Sequence, residues 1–195
     1  FDISYNERNI DEILEVLDKY DVKATFFVVG NWIDENKDVV KKIYDRGHEI
    51  GNHSCTHPYF NEISEEDMKK ELESTSKKIK DITGEDTKIF RPPYGEINED
   101  GVKVCESLGY KVVNWDVDSM DWKNIKDIYI IDRVSQNATP GSIILFQGEG
   151  KNVENYLDSI ISHFSKSGYK MLKISELLYD DNYYVDSSGV QRKKE

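Results

Sequence analysis

The chain is poor in the residues that bind by positive charge or staple a fold covalently. Its 195 residues include two cysteines, four histidines, four prolines and three methionines, and 26 Lys and Arg face 38 Asp and Glu. A formal net charge of −12 excludes non-specific binding to nucleic acid or anionic membrane and suits a neutral or cationic substrate. Cys55 and Cys105 are too few for a disulfide framework; one bridge and two free thiols both stay open. No apolar run reaches transmembrane length, so no membrane insertion is expected of this segment. No glycine-rich phosphate loop follows an apolar run, which argues against a nucleotide-binding sheet. Hydrophobic residues make up only 37%, yet 12 Tyr, 7 Phe and 3 Trp accompany them. The apolar residues also fall in short runs, which argues against disorder.

Those runs alternate with amphipathic stretches. Helical spacing over 10–20 precedes a buried-strand run, 24–29, ended by Gly30. A helix over 36–46 stops at Gly47, and 48–54 reads as the next strand. Ser64 opens a helix with a capping signature, and Gly84 closes it. A short strand at 88–91 is halted by Pro92-Pro93. Helices over 98–108, 125–136 and 153–167 then alternate with strands over 110–118, 142–146 and 169–174. A short helical turn through Leu178 follows, and 179–195 is expected to be a polar tail. Strict alternation predicts an α/β fold, a mostly parallel sheet with both faces covered; a barrel and an open sheet both satisfy it. Phe1-Asp2 is short for a strand, so upstream residues are expected to complete it.

Two histidines stand together in Gly51-Asn52-His53-Ser54-Cys55-Thr56-His57-Pro58. With three residues between them they can meet one metal ion. Pro58 disfavours a continuing helix and pushes His57 towards extended geometry, placing the pair at a strand-to-loop junction. Cys55 could be a third ligand, although an extended backbone would turn it away from at least one histidine. The other strand ends carry Asp2, Arg91 with Pro92-Pro93-Tyr94-Gly95, the aspartates 116, 118 and 121 with Trp122, and Gln147. In a parallel barrel such ends share one face, where sites are built. His48 lies at a strand start, the wrong end, and His163 in a helix, where a packing or surface role fits. The run Lys69-Lys70-Glu71-Leu72-Glu73 reads as a solvated helix face. Trp115 reads as strand core and Trp122 as a sugar-stacking residue.

Phe1-Asp2, His53-Ser54-x-x-His57, Arg91-Pro92-Pro93-Tyr94-Gly95, Asp118-x-x-Asp121-Trp122 and the strand into Leu145-Phe146-Gln147 resemble, in order, the five motifs of NodB-type polysaccharide deacetylases. The resemblance spans Phe1 to about Leu178 and implies a distorted (β/α) barrel of about seven mostly parallel strands, the first truncated here. The opening Phe1-Asp2-Ile3-Ser4 resembles the sporulation-associated, PdaB-like branch. The resemblance implies a metal-dependent hydrolase that removes N-acetyl groups from a cell-wall polysaccharide such as peptidoglycan, outside the cytoplasm. It makes Asp2 the general base, His53 and His57 ligands of zinc or another divalent metal, and Arg91 the support of Asp2. Tyr94 would offer its backbone N–H to the oxyanion. Asp121 and Trp122 would flank the catalytic acid, and Leu145 would line the acetyl pocket.

Two positions depart from the family pattern. The family's second aspartate, its third metal ligand, is Ile3 here, and a zinc site needs three or four protein ligands. Asn6 or one of the fifth-strand aspartates could substitute. The family's general acid, a histidine, is Gln147, which can donate a hydrogen bond but gives up no proton near neutral pH. Two readings follow: a deacetylase impaired by Ile3 and Gln147, or a deacetylase fold that binds glycan without turnover.

Overall fold

The computed structural model describes residues 1–4, 9–123 and 125–194. Five short strands form one parallel sheet in sequence order: β1 (Asp2–Ile3), β2 (Thr25–Val28), β3 (Glu49–Asn52), β4 (Ile89–Phe90) and β5 (Lys111–Val112). A second parallel pair, β6 (Val117–Asp118) and β7 (Ile144–Leu145), continues the circuit. The Asp2 N–H donates to the Phe146 carbonyl at 3.0 Å, joining the end of β7 to β1. Among the described residues, ladder pairing is lacking between β5 and β6 and between β7 and β1, where that single bond bridges the seam. The result is the seven-stranded distorted barrel that the resemblance implies, one of the two architectures the alternation allows.

The helices pack outside: α1 (Ile10–Lys19), α2 (Gly30–Glu35), α3 (Lys37–Asp45), α4 (Glu65–Thr83), α5 (Glu99–Ser107), α6 (Asp127–Asn137), α7 (Val153–Lys166) and α8 (Ile174–Leu177). Helix α4 begins and ends as its sequence directs. Ser64 accepts from the Asp67 N–H, and Gly84 terminates the helix in the left-handed region at φ 79°. The main apolar core joins Phe26 and Val28 of β2 to Leu14 and Leu17 of α1 and Ile160 and Ile161 of α7.

The structure departs from the expected elements at five points. The strand predicted over 110–118 is two, β5 and β6, because the chain leaves the sheet at Val113 and rejoins it beside Ile143. Trp115 lies in that break, half-buried, with its ring against Gly95. Residues 169–173 form no strand; Tyr169 and Met171 instead pack on the core. Helix α2 follows β2 without a loop, and the polar tail pairs as an antiparallel hairpin, β8 (Tyr183–Val185) with β9 (Gln191–Lys193).

His48, just before β3, is buried, and its Nδ1 accepts from the Ala24 N–H at 3.1 Å. Burial first, then the Lys23 ammonium, lowers its pKa to about 4. The folded chain therefore keeps His48 neutral while the unfolded chain takes up a proton below about 6.5. Stability is full above that value and falls as pH drops from 6.5 towards 4, by at most roughly 3 kcal/mol for this group. Urea midpoints measured at pH 7.5 and pH 5 should show the loss, and His48→Gln, which keeps an acceptor, should flatten it.

Candidate active site

The floor of the site is a buried ion pair. Arg91, directly after β4, donates from Nη1 to Asp2 Oδ1 at 2.7 Å, with the two residues 1% and 3% exposed. The rest of the guanidinium is also engaged: Nε donates to the Val113 carbonyl and Nη2 to the Asn114 carbonyl, both at 3.1 Å. Its carbon lies 4.3 Å from the Phe27 ring centroid. Burial pushes the Asp2 carboxyl up, but Arg91 and then His53 outweigh it and leave the carboxyl below its ordinary range. Arg91 thus pairs with Asp2 and ties β1 to the segment after β5.

His53 follows β3 and is buried. Its Nδ1 lies 2.8 Å from the Arg91 carbonyl. A carbonyl only accepts, so Nδ1 carries the proton and the Nε2 lone pair faces Asp2 Oδ2, 3.8 Å away. The His57 ring stands edge-on to it, with centroids 4.9 Å apart. Burial is the largest cause lowering both pKa values, that of His57 to about 4, so both imidazoles are neutral at pH 7. The pair converges from a loop as expected. The predicted extended backbone at His57 is corrected: its φ is 59°, and that of Ser54 is 66°. A tight loop held by neighbouring side chains overrides the local bias that Pro58 sets.

What holds the loop was not legible in the sequence. The Asn52 side-chain amide donates to the Leu72 carbonyl and Ser76, while its oxygen accepts from the Ser54 N–H. Glu71 of α4 accepts from the Cys55 and Thr56 N–H groups, both at 2.7 Å, and from the Thr56 hydroxyl. Glu71 belongs to the charge run expected to be a solvated face. Leu72 beside it is fully buried, so that expectation is corrected. Gly30 and Asn31, opening α2, donate to the Ser54 and Cys55 carbonyls. A Cβ on Gly30 would meet Thr75 Oγ1 at 2.5 Å, so only glycine lets helix and loop approach this closely. Cys55 Sγ contacts Asn31, Ser74 and Lys78, on the side of α2 and α4. Both cysteines are free thiols, and burial pushes that of Cys105 up to about 12.

The opposite wall is organised by Asp121, 1% exposed. Its two oxygens accept from Ser119 Oγ at 3.1 Å, Gln147 N–H at 3.0 Å, Gly148 N–H at 2.8 Å and Tyr156 OH at 2.9 Å. Four donors fill the carboxylate's acceptor capacity. Asp121 therefore lies beside position 147, as implied, where it fastens the loop after β7. Gly148 has φ 68°, and its carbonyl accepts from Asn9 at 2.7 Å. Leu145 is buried in β7 opposite Asp118. Trp122 is 47% exposed, with the Lys123 ammonium 4.9 Å from its ring centroid. Tyr94 lies in the short turn Pro93–Gly95 at φ 62°.

The donor set falls short of a zinc centre. Ile3 is buried in the main apolar core, and its carbonyl accepts from the Val29 N–H. The fifth-strand aspartates do not supply the missing ligand. Asp116 binds Ser142 Oγ and the Ile143 N–H, Asp118 accepts from the Met120 N–H, and Asp121 is saturated as above. Asn6 lies outside the described residues. Among those described, no group of three or more His, Cys, Asp or Glu side chains could hold a metal ion. Two neutral imidazoles remain, fewer than a zinc site needs.

Residues 1–113 match the family described as polysaccharide deacetylase. The chain is 34% identical over 191 residues to the peptidoglycan-N-acetylmuramic acid deacetylase PdaA of Bacillus subtilis, covering 96% of this chain and 73% of that protein. Among solved structures, it is 34% identical to a CE4-family pseudoenzyme from Bacillus anthracis, with TM-score 0.86 over 92% of this chain and 64% of that one. A mutant of that pseudoenzyme with restored enzymatic activity superposes with TM-score 0.88, over 66% of its chain. Motif order, barrel and pairwise identity agree: the chain belongs to the polysaccharide deacetylase family, carbohydrate esterase family 4.

Proposed function

We propose that this domain recognises an N-acetylated cell-wall polysaccharide of the peptidoglycan type and has lost the metal-dependent hydrolysis of its relatives. One observation carries the reading: the position of the family's third metal ligand is Ile3, 3% exposed within the apolar core. Gln147 supports it, because amide hydrolysis needs an acid to protonate the leaving amine and glutamine supplies none. The named B. anthracis pseudoenzyme shows that the family tolerates loss of turnover.

A second reading, slow residual hydrolysis, rests on the intact Asp2–Arg91 pair and on the Nε2 lone pair of His53 facing the Asp2 carboxylate. Three measurements on the purified chain separate the two. Calorimetric titration with the N-acetylglucosamine tetramer should detect binding. Metal analysis after zinc is supplied should find stoichiometry near zero, and acetate release from peptidoglycan should match the no-protein rate. Release abolished by His53→Ala would instead establish the hydrolase.

A further inference from the structure

Tyr59 has no part in the family resemblance, yet it is placed with care. Pro58 restricts the backbone before it, and Phe60 after it is fully buried against Phe90, with ring centroids 4.9 Å apart. Between these anchors the Tyr59 ring stacks on Tyr94, centroids 4.1 Å apart and planes 15° from parallel. Tyr94 is itself fixed by the turn at Pro93–Gly95, where a Cβ on Gly95 would meet the Trp115 ring at 2.7 Å. The Tyr94 ring stands edge-on to His57, centroids 4.7 Å apart, and His57 edge-on to His53. Four rings in contact thus lead from the buried ion pair to the surface. At the outer end Tyr59 and Tyr94 are 46% and 49% exposed.

Two large aromatic rings stacked on one another at the surface, half in water, present a flat face of the kind a ligand covers. A hexopyranose has an apolar face of C–H groups and an equatorial rim of hydroxyls, which suits a flat ring with a phenolic edge. A net charge of −12 favours a neutral sugar over an anionic one.

We propose that Tyr59, stacked on Tyr94, is a binding residue for the sugar next to the one lying over His53 and His57, and so selects polymer over single sugar. This rests on the glycan reading above. The ledge lies two ring contacts from His57, so a polymer with one sugar over the histidines would meet it with the next, which a single sugar lacks.

The test is calorimetric titration of wild type, Tyr59→Ala, Tyr59→Phe and Trp122→Ala with the N-acetylglucosamine monomer and tetramer. Tyr59→Ala should raise the tetramer Kd about tenfold, equivalent to about 1.4 kcal/mol, and leave the monomer Kd unchanged. Tyr59→Phe should restore tetramer affinity, since it keeps the ring. Equal tetramer affinity in wild type and Tyr59→Ala, with Trp122→Ala weakened, would overturn the ledge and leave the glycan reading standing. A wild type that binds neither sugar overturns both. Equal losses for monomer and tetramer would mean that Tyr59 merely supports the histidine loop, which also refutes the assignment.

Discussion

Ile3→Asp combined with Gln147→His is expected to turn a chain that releases no measurable acetate into one that does, with the two changes acting at separable steps. Ile3→Asp alone should raise zinc content from near zero to near one ion per chain, because a carboxylate at the end of β1 completes three protein ligands with His53 and His57. Ile3 is packed in the apolar core, so the substitution should cost a few kcal/mol without metal. Zinc at a thousand times its Kd should return about 4 kcal/mol. Melting with and without zinc therefore reads ligation independently of activity: the Tm of Ile3→Asp should fall below wild type in chelator and rise sharply on zinc addition. Gln147→His supplies the acid, worth roughly 10²–10⁴ in rate, and Asp121 already grips the backbone at that position. Neither change alone should restore turnover. Acetate release by the double variant no faster than by wild type, despite bound zinc, would refute the account of what was lost.

Parallel topology explains how much of this was legible. In a barrel of parallel strands every strand end faces the same way, so Asp2, His53, Arg91, Asp121 and Gln147 could be assigned to one face from sequence position alone. The departures at Ile3 and Gln147 were legible for the same reason. Supporting contacts were not. Glu71 sits in a helix whose charge pattern is indistinguishable from a solvated face, and only the packing of α4 against the histidine loop brings its carboxylate to two N–H groups. The left-handed backbone at His57 was misread because a local proline bias was weighed without the Asn52 and Ser54 bonds that hold the loop. One strand over 110–118 is expected from its Val and Trp content, which outweighs Asn114 and Asp116, the residues that mark the break between β5 and β6. Tyr59 carries no signal of its own in the sequence, because its stacking on Tyr94 joins two loops distant along the chain.

The second large effect concerns the ion pair beneath the site. Arg91→Met should cost about 3–5 kcal/mol at pH 7.5, because it leaves the Asp2 carboxylate buried without its counter-charge. The lost bonds to the Val113 and Asn114 carbonyls add to the damage. Acid should narrow the gap, and the sign follows from Asp2. In wild type the Asp2 pKa is depressed, so its contribution is present above the unfolded value of about 3.9 and is lost only as pH falls through the lower folded one. Burial is already the largest single influence on this carboxyl, and without Arg91 to outweigh it burial should lift the carboxyl above its unfolded value. The folded variant then binds a proton that its unfolded form does not, and acidification stabilises it relative to wild type. The difference in urea-unfolding free energy between the two proteins should therefore shrink between pH 7.5 and pH 5. His48 and His57 titrate alike in both chains, while His53 loses the Arg91 charge that lowers its pKa, which narrows the gap in the same direction. Asp2→Asn/Arg91→Met, which removes both charges, should recover part of the loss at pH 7.5 and show little of the pH dependence. A gap that stays constant with pH would mean that Arg91 acts through its carbonyl bonds and its packing on Phe27 rather than by neutralising Asp2.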